Sequence, residues 1–391
     1  MFSPAERAFL QEHLSAEPTK LLLQARKWPG LNVPKLVQQI QARQKAKSKL
    51  PSWATNLELV FPANLSVEQS SSEVTAHFKA GLVSGNTLAD LTGGFGVDAF
   101  HFAGRFKEVS YVEHQAELAQ LVTYNFQQLG ATHIAVHTAE AQEFLQTLTE
   151  PLDVIYLDPA RRGQSQERVH LLQDCEPDVL HLLPMLFQKS KSVLLKTAPM
   201  LDIDLALKEL QHVAQVWVVA VQNECKEVLY LLKPNATNPI ITAVNLKADE
   251  TRQEFTFTKA AEETAPVTYA LPQRYLYEPN TALLKASAFR ILSEKYQLHK
   301  LHRNSHLYTS AEVNPAFPGR IFEIINQPKA QAKELHALLP DKKANITVRN
   351  HPLTVAQLRE KLKLKEGGDA YLFATTDVNN KPTLLLCQKI V

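Results

Sequence analysis

The sequence predicts an α/β protein: a doubly wound, largely parallel sheet that ends in an antiparallel hairpin, with a helical lobe before it and small α/β domains after it. Three observations carry this. Strand and helix patterns alternate from 87 to 233, the mark of a parallel sheet with helices on both faces. A glycine-rich turn, Asp90-Leu91-Thr92-Gly93-Gly94-Phe95-Gly96-Val97-Asp98, separates the first strand from its helix. After Lys233-Pro234-Asn235 the character changes, and a second alternating stretch follows near the C-terminus.

Residues 1–50 read as helical. Leu21-Leu22-Leu23, Val37 and Ile40 form an apolar face, and residues 41–49 are polar helix formers. Pro29-Gly30 breaks the pattern and Pro51-Ser52-Trp53 is read as its end. The run from Leu65 to Ala80 opens with serines fit to cap a helix. Its hydroxyls, Gln69 and Lys79 reach the carboxyl ends of the strands only if this helix folds back over them. Together these segments are expected to form an N-terminal lobe, 1–80.

Strands are expected at 86–89, 108–113, 134–137, 153–159 and 192–196, with helices at 99–104, 116–129, 140–148, 178–188 and 203–210. Two closely spaced β-rich runs, 216–221 and 228–232, predict the hairpin. The expected catalytic unit is therefore 81–235. Short strands at 240–245 and 254–258 suggest an all-β or mixed insert within an accessory region, 236–319. A helix is expected over 281–296. The last part, 320–391, reads as strand, helix, strand, helix and a closing hairpin.

Composition sets the limits. A hydrophobic share of 45% with 21% charged residues is that of a globular protein. No apolar run is long enough to cross a bilayer and the N-terminus lacks an export signal, so the cytoplasm is the expected address. Three widely spaced cysteines argue against a disulfide framework or structural zinc, and no metal is expected. Charge is uneven: residues 1–50 carry +6, residues 281–391 carry +8, and the middle carries −12. Basic ends around an acidic middle suit either a polyanion partner or a lysine-rich solvated surface.

The chemistry-bearing residues sit where strands should end. The glycines of the turn let a ligand approach backbone N–H groups at a helix N-terminus. Glu113 follows 23 residues after Asp90 and ends the second strand, where a carboxylate accepts from the ribose hydroxyls of a bound nucleoside. At the third strand's end Ala139 can pack on an adenine and Glu140 can accept from its amine, or Glu140 is simply the first-turn acid of the next helix. The fourth strand ends in Asp158-Pro159-Ala160-Arg161-Arg162-Gly163. A carboxylate directed by a following proline can hold an amino group with its lone pair facing an electrophile. Arg161 and Arg162 are either anion clamps or exposed turn residues.

These motifs resemble the class I S-adenosylmethionine-dependent methyltransferases, whose sheet is Rossmann-like, and in particular the bacterial group with a Thump-like C-terminal domain. The resemblance rests on residues 90–98, Glu113 and Asp158-Pro159-Ala160-Arg161, covers roughly 82–233, and extends to Gln69–Lys79, Tyr275-Leu276-Tyr277-Glu278-Pro279-Asn280 and 320–391. It implies S-adenosylmethionine over Asp90, Thr92, Gly93, Gly94, Phe95, Gly96 and Glu113, extending to Ala139 and Glu140, and methyl transfer near Asp158, Pro159 and Arg161. It implies a ferredoxin-like part in 236–319, a Thump-like domain at 320–391, and RNA as the substrate. Amino-directed members usually carry an aromatic residue where Arg161 stands. Arginine there is similar to the pyrimidine-C5 enzymes, which need a cysteine after the fifth strand; this chain has Lys196-Thr197-Ala198-Pro199. C5 chemistry is therefore set aside and the accepting atom stays open, with an exocyclic base nitrogen preferred. A protein or small-molecule acceptor, and a non-catalytic RNA-binding protein, remain as alternatives. A nicotinamide-dependent oxidoreductase is disfavoured, because Gly93-Gly94-Phe95-Gly96 does not fit G-x-G-x-x-G.

Overall fold

The structure, a computed structural model, describes residues 2–62, 70–161 and 172–390. Two compact units are formed, residues 1–214 with 229–237, and residues 215–228 with 238–391. Among the described residues no helix is long and apolar enough to cross a membrane.

The N-terminal lobe contains α1 (Pro4–His13), α2 (Pro18–Leu23), α3 (Val33–Ala46) and α4 (Pro51–Thr55). Ser3 and Glu6 form a capping box on α1, and Phe9, Leu10, Leu21, Leu36, Val37 and Ile40 make the lobe's core. Pro51-Ser52-Trp53, expected to end a helix, begins α4 instead. Proline at the first helical position lacks only a donor that would have no partner there. Arg43 was expected on a polar face but is buried. It donates to the carbonyls of Ala54, Asn56 and Leu59, and burial lowers its pKa to about 10.

Next come α5 (Glu73–Ala80), β1 (Thr87–Asp90), α6 (Val97–Ala103), β2 (Glu108–Glu113), α7 (Ala116–Gln128), β3 (Ile134–Thr138), α8 (Ala141–Thr147), β4 (Leu152–Leu157), β5 (Ala160–Arg161) and β6 (Cys175–Glu176). They are followed by α9 (Val179–Lys189), β7 (Ser190–Thr197), α10 (Ile203–Leu210), β8 (Val213–Val221), β9 (Glu224–Leu232), β10 (Ile240–Leu246) and β11 (Arg252–Thr258). Nine strands form one sheet in the order β11-β10-β8-β9-β7-β4-β1-β2-β3. Around the centre the pairing is parallel, with Asp90 opposite Tyr111 on one side and Tyr156 on the other, and Leu157 opposite Leu195. This register brings the ends of β1, β2 and β4 to one edge.

The hairpin is present. Gln222 and Asn223 link β8 to β9 with φ of 50° and 64°, the left-handed pair that a tight hairpin turn needs. The sheet continues past it, because β10 pairs parallel with β8 and β11 antiparallel with β10. The runs expected as an insert thus belong to the large sheet. Residues 241–246 are buried on both faces, so the alternation that marks a half-exposed strand is missing.

The remaining elements are α11 (Lys259–Thr264), β12 (Tyr275–Pro279), α12 (Thr281–Lys285), α13 (Arg290–Tyr296), β13 (His299–Lys300), β14 (Tyr308–Ser310), β15 (Gly319–Asn326), α14 (Ala332–Leu338), β16 (Asn345–Arg349), α15 (Val355–Leu362), β17 (Ala370–Thr376) and β18 (Pro382–Lys389). Seven strands form a second sheet, β13-β14-β12-β15-β18-β17-β16. The helix expected over 281–296 is two helices. Ser287 takes φ 58°, Ala288 N–H bonds the Leu283 carbonyl and Ser287 N–H the Leu284 carbonyl, a Schellman stop made without glycine. Glu278, buried in β12, accepts from Arg320 and Arg349.

Candidate active site

The turn after β1 is shaped by what lies beneath it. A Cβ on Gly93 would sit 2.3 Å from the Tyr111 ring, and one on Gly96 2.8 Å from Phe126 and Val122. Gly96 also takes φ +82°. The glycines therefore let the loop lie directly on β2 and α7. Gly93 N–H bonds the Val112 carbonyl at 2.9 Å, and the Tyr111 hydroxyl donates to the Gly94 carbonyl at 2.6 Å. The Phe95 ring packs against Trp53 and Phe61.

Of the three acidic tips, two reach the cleft and one lies below it. Glu113 accepts from Gly94 N–H at 3.1 Å and Gln115 N–H at 2.9 Å, with His114 Nδ1 at 3.1 Å. Asp158 has its N–H on the Thr92 hydroxyl at 2.6 Å and its carboxylate on the Lys196 ammonium. Asp90 is buried and accepts from Thr92 N–H at 3.0 Å and from the Thr92 hydroxyl at 3.3 Å. Burial, with Asp98 and Asp158 nearby, pushes the Asp90 carboxyl up to about 8. Thr92 thus ties the tip of β1 to the tip of β4.

The cleft above the turn holds about 720 Å³. Leu91 to Asp98 floor it. Glu113, Ala139, Glu140 and Asp158 are on its walls, whereas Asp90, Pro159 and Arg161 are not among the lining residues. Glu140 is exposed and starts α8, its N–H on the Glu143 carboxylate. Arg161 is placed through its backbone, opposite Cys175 in the small β5–β6 ribbon. Arg162, Gly163 and Leu65 to Gln69 lie outside the described residues. Asp98, Glu113, Glu117, Glu140, Asp158 and Glu176 all line the cleft, and among the described lining residues there is no lysine or arginine. Asp98 and Asp158 are ion-paired with Lys79 and Lys196 from behind, and the lining as a whole favours a cationic ligand.

Helix capping is the reading the sequence favours for the serines, and Ser72 does cap α5, its hydroxyl accepting from Thr75 N–H. Ser70 and Ser71 line the cleft as well, and α5 folds back far enough for Lys79 to reach Asp98. Lys79, fully buried on α5, sits 2.9 Å from Asp98 and donates to Ser71 at 2.7 Å. Asp98 also accepts from Ser71 at 2.7 Å and from the Tyr156 hydroxyl at 2.9 Å. Despite burial, Lys79 and its neighbours hold Asp98 below the usual carboxylate range. A lysine set among Ala76, Phe78 and Ala80 was the available sign that it points inward. Whether Lys79 or Lys196 takes part is open from the sequence; in the structure Lys196 is the partner of Asp158.

Residues 275–318 match a ferredoxin-like domain family and residues 319–389 a THUMP domain-like family. A solved structure from Porphyromonas gingivalis W83, provisionally designated a methyltransferase, is 34% identical, with all of both chains covered and a TM-score of 0.89. An rRNA methylase from Streptococcus thermophilus is 16% identical over 41% of this chain and 93% of its own, with a TM-score of 0.31. No curated protein matches the chain. Full-length likeness to the P. gingivalis protein, together with the matched C-terminal domains, places the chain in a family: it belongs to the class I methyltransferases, in the bacterial group with a THUMP-like C-terminal domain.

Proposed function

We propose that the protein transfers a methyl group from S-adenosylmethionine to a base nitrogen of RNA. The observation that carries this is the row of carboxylates on the cleft walls, Glu113, Glu117, Glu140, Asp158 and Glu176, above a floor made by the turn from Leu91 to Asp98. S-adenosylmethionine brings a sulfonium and an ammonium, and when bound it supplies an electrophilic methyl group. Glu113 would accept from its ribose hydroxyls, Ala139 and Glu140 would flank its adenine, and residues 92–96 would lie beneath it.

Asp158 is the group for the acceptor. Its carboxylate accepts a hydrogen from an amino group and so aims the nitrogen lone pair at the methyl carbon. Pro159 fixes the direction in which the chain leaves β4. RNA is favoured by the THUMP-like domain and by the net charges of +6 on residues 1–50 and +8 on residues 281–391.

Calorimetry with S-adenosylmethionine and S-adenosylhomocysteine tests the cofactor, which Asp90→Ala combined with Gly94→Val should abolish. Mass spectrometry of nucleosides from cells lacking the gene tests the substrate. An RNA methylation that disappears on deletion and returns with the wild-type gene is expected. Cofactor affinity without any such loss would point to a protein or small-molecule acceptor.

A further inference from the structure

Lys196 has no assigned part in the reaction. Leu157 and Leu195 are partners in the β4–β7 register, so Asp158 and Lys196 stand side by side one residue further on. The Lys196 side chain is 12% exposed and is not among the cleft-lining residues, while Asp158 is 27% exposed and lines the cleft. Lys196 therefore meets Asp158 from behind, and the acceptor would meet it from the front. The backbone of Asp158 is held as well, by the Thr92 hydroxyl. Its neighbourhood is acidic, with Asp90 and Asp98 close enough to influence one another and Lys196 close enough to act on Asp98.

We propose that Lys196 is a positioning residue for methyl transfer, fixing the Asp158 carboxylate as an oriented anion that receives the amino group of the acceptor. The inference rests on the methyltransferase reading above. In the step it serves, the nitrogen lone pair forms the N–C bond while the C–S bond breaks and its electron pair stays on sulfur. The surplus proton on nitrogen leaves to water. An ammonium already donating to Asp158 has no lone pair for that proton, so Lys196 acts by orientation and charge. Without it, Asp158 is free to rotate among neighbouring carboxylates, and lost alignment costs rate rather than cofactor binding.

The experiment follows tritiated methyl from S-adenosylmethionine into an extract of cells lacking the gene, with ribonuclease or protease digestion to show which acceptor is labelled. Full-length Lys196→Met, Lys196→Gln and Lys196→Arg are compared with the wild type. The uncharged variants should lose about 10- to 100-fold in kcat, keep S-adenosylhomocysteine affinity within about twofold, and stay folded with a urea midpoint close to that of the wild type, while Lys196→Arg recovers most of the rate. Full kcat in Lys196→Met or Lys196→Gln overturns the inference, as does a loss of rate explained by lost cofactor affinity or by unfolding in both. Label that survives ribonuclease overturns only the choice of RNA and leaves the Lys196 comparison standing. Wild-type protein that binds no cofactor or labels nothing overturns the methyltransferase reading, and this inference with it.

Discussion

Two lysine–aspartate pairs lie near the glycine turn, and they differ in how they meet water. Lys79 and Asp98 are 0% and 10% exposed, with Ser71 and Tyr156 completing the carboxylate's hydrogen bonds. Lys196 and Asp158 are 12% and 27% exposed, and the acid faces the cleft. A buried pair is costly to break, because the survivor is left as an uncompensated charge, whereas a pair open to solvent contributes little to stability. The same two residue types thus serve to hold the loop in one case and to present an oxygen in the other.

The largest test of this contrast is Lys79→Met, expected to cost about 3–5 kcal/mol of stability in urea denaturation. Lys196→Met should cost about 0–1 kcal/mol. Equal losses would erase the distinction. Next is the floor of the cleft: Gly93→Ala should cost about 1–3 kcal/mol by overpacking on Tyr111, and less in a Tyr111→Leu background. A third pairing widens the comparison. Glu278, 3% exposed between two arginines that are each about a third exposed, stands between the extremes. Glu278→Gln should lower stability by about 1–2 kcal/mol, read from the same denaturation curves.

A change of slope with pH tests the carboxylate beneath the floor. Asp90 is pushed up to about 8 from 3.8, so between those values the folded protein holds a proton that the unfolded chain has released. Stability from this group is therefore greatest at the acid end, falls as pH rises from about 4 to about 8, and is level above. Asp90→Asn should flatten that component in denaturation midpoints measured across the range. An unchanged slope would mean that Asp90 is not the group responsible.

Much of the catalytic sheet was legible because local pattern and tertiary role agree there: Glu108–Glu113 and Ile203–Leu210 have the expected bounds. The misreadings arose where tertiary context overrides local signal. Ile240–Leu246 is covered on both faces, Pro51 opens a helix, and Ser287 stops one without glycine. In the site, strand ends placed Glu113 and Asp158 on the cleft, because the parallel register is regular. Burial of Asp90 below the floor, and the lysines that reach Asp98 and Asp158, depend on pairings 19 to 38 residues apart, which periodicity does not encode.

The path of the backbone between the two units has a practical consequence. Residues 215–228 belong with the C-terminal part, yet residues 229–237 return to the N-terminal part before the chain leaves for good. Three crossings mean that no single stop codon or protease cut yields either half whole. Fragment expression would leave severed hydrogen-bonding edges in both pieces, so gene truncation is expected to delete the enzyme rather than trim it.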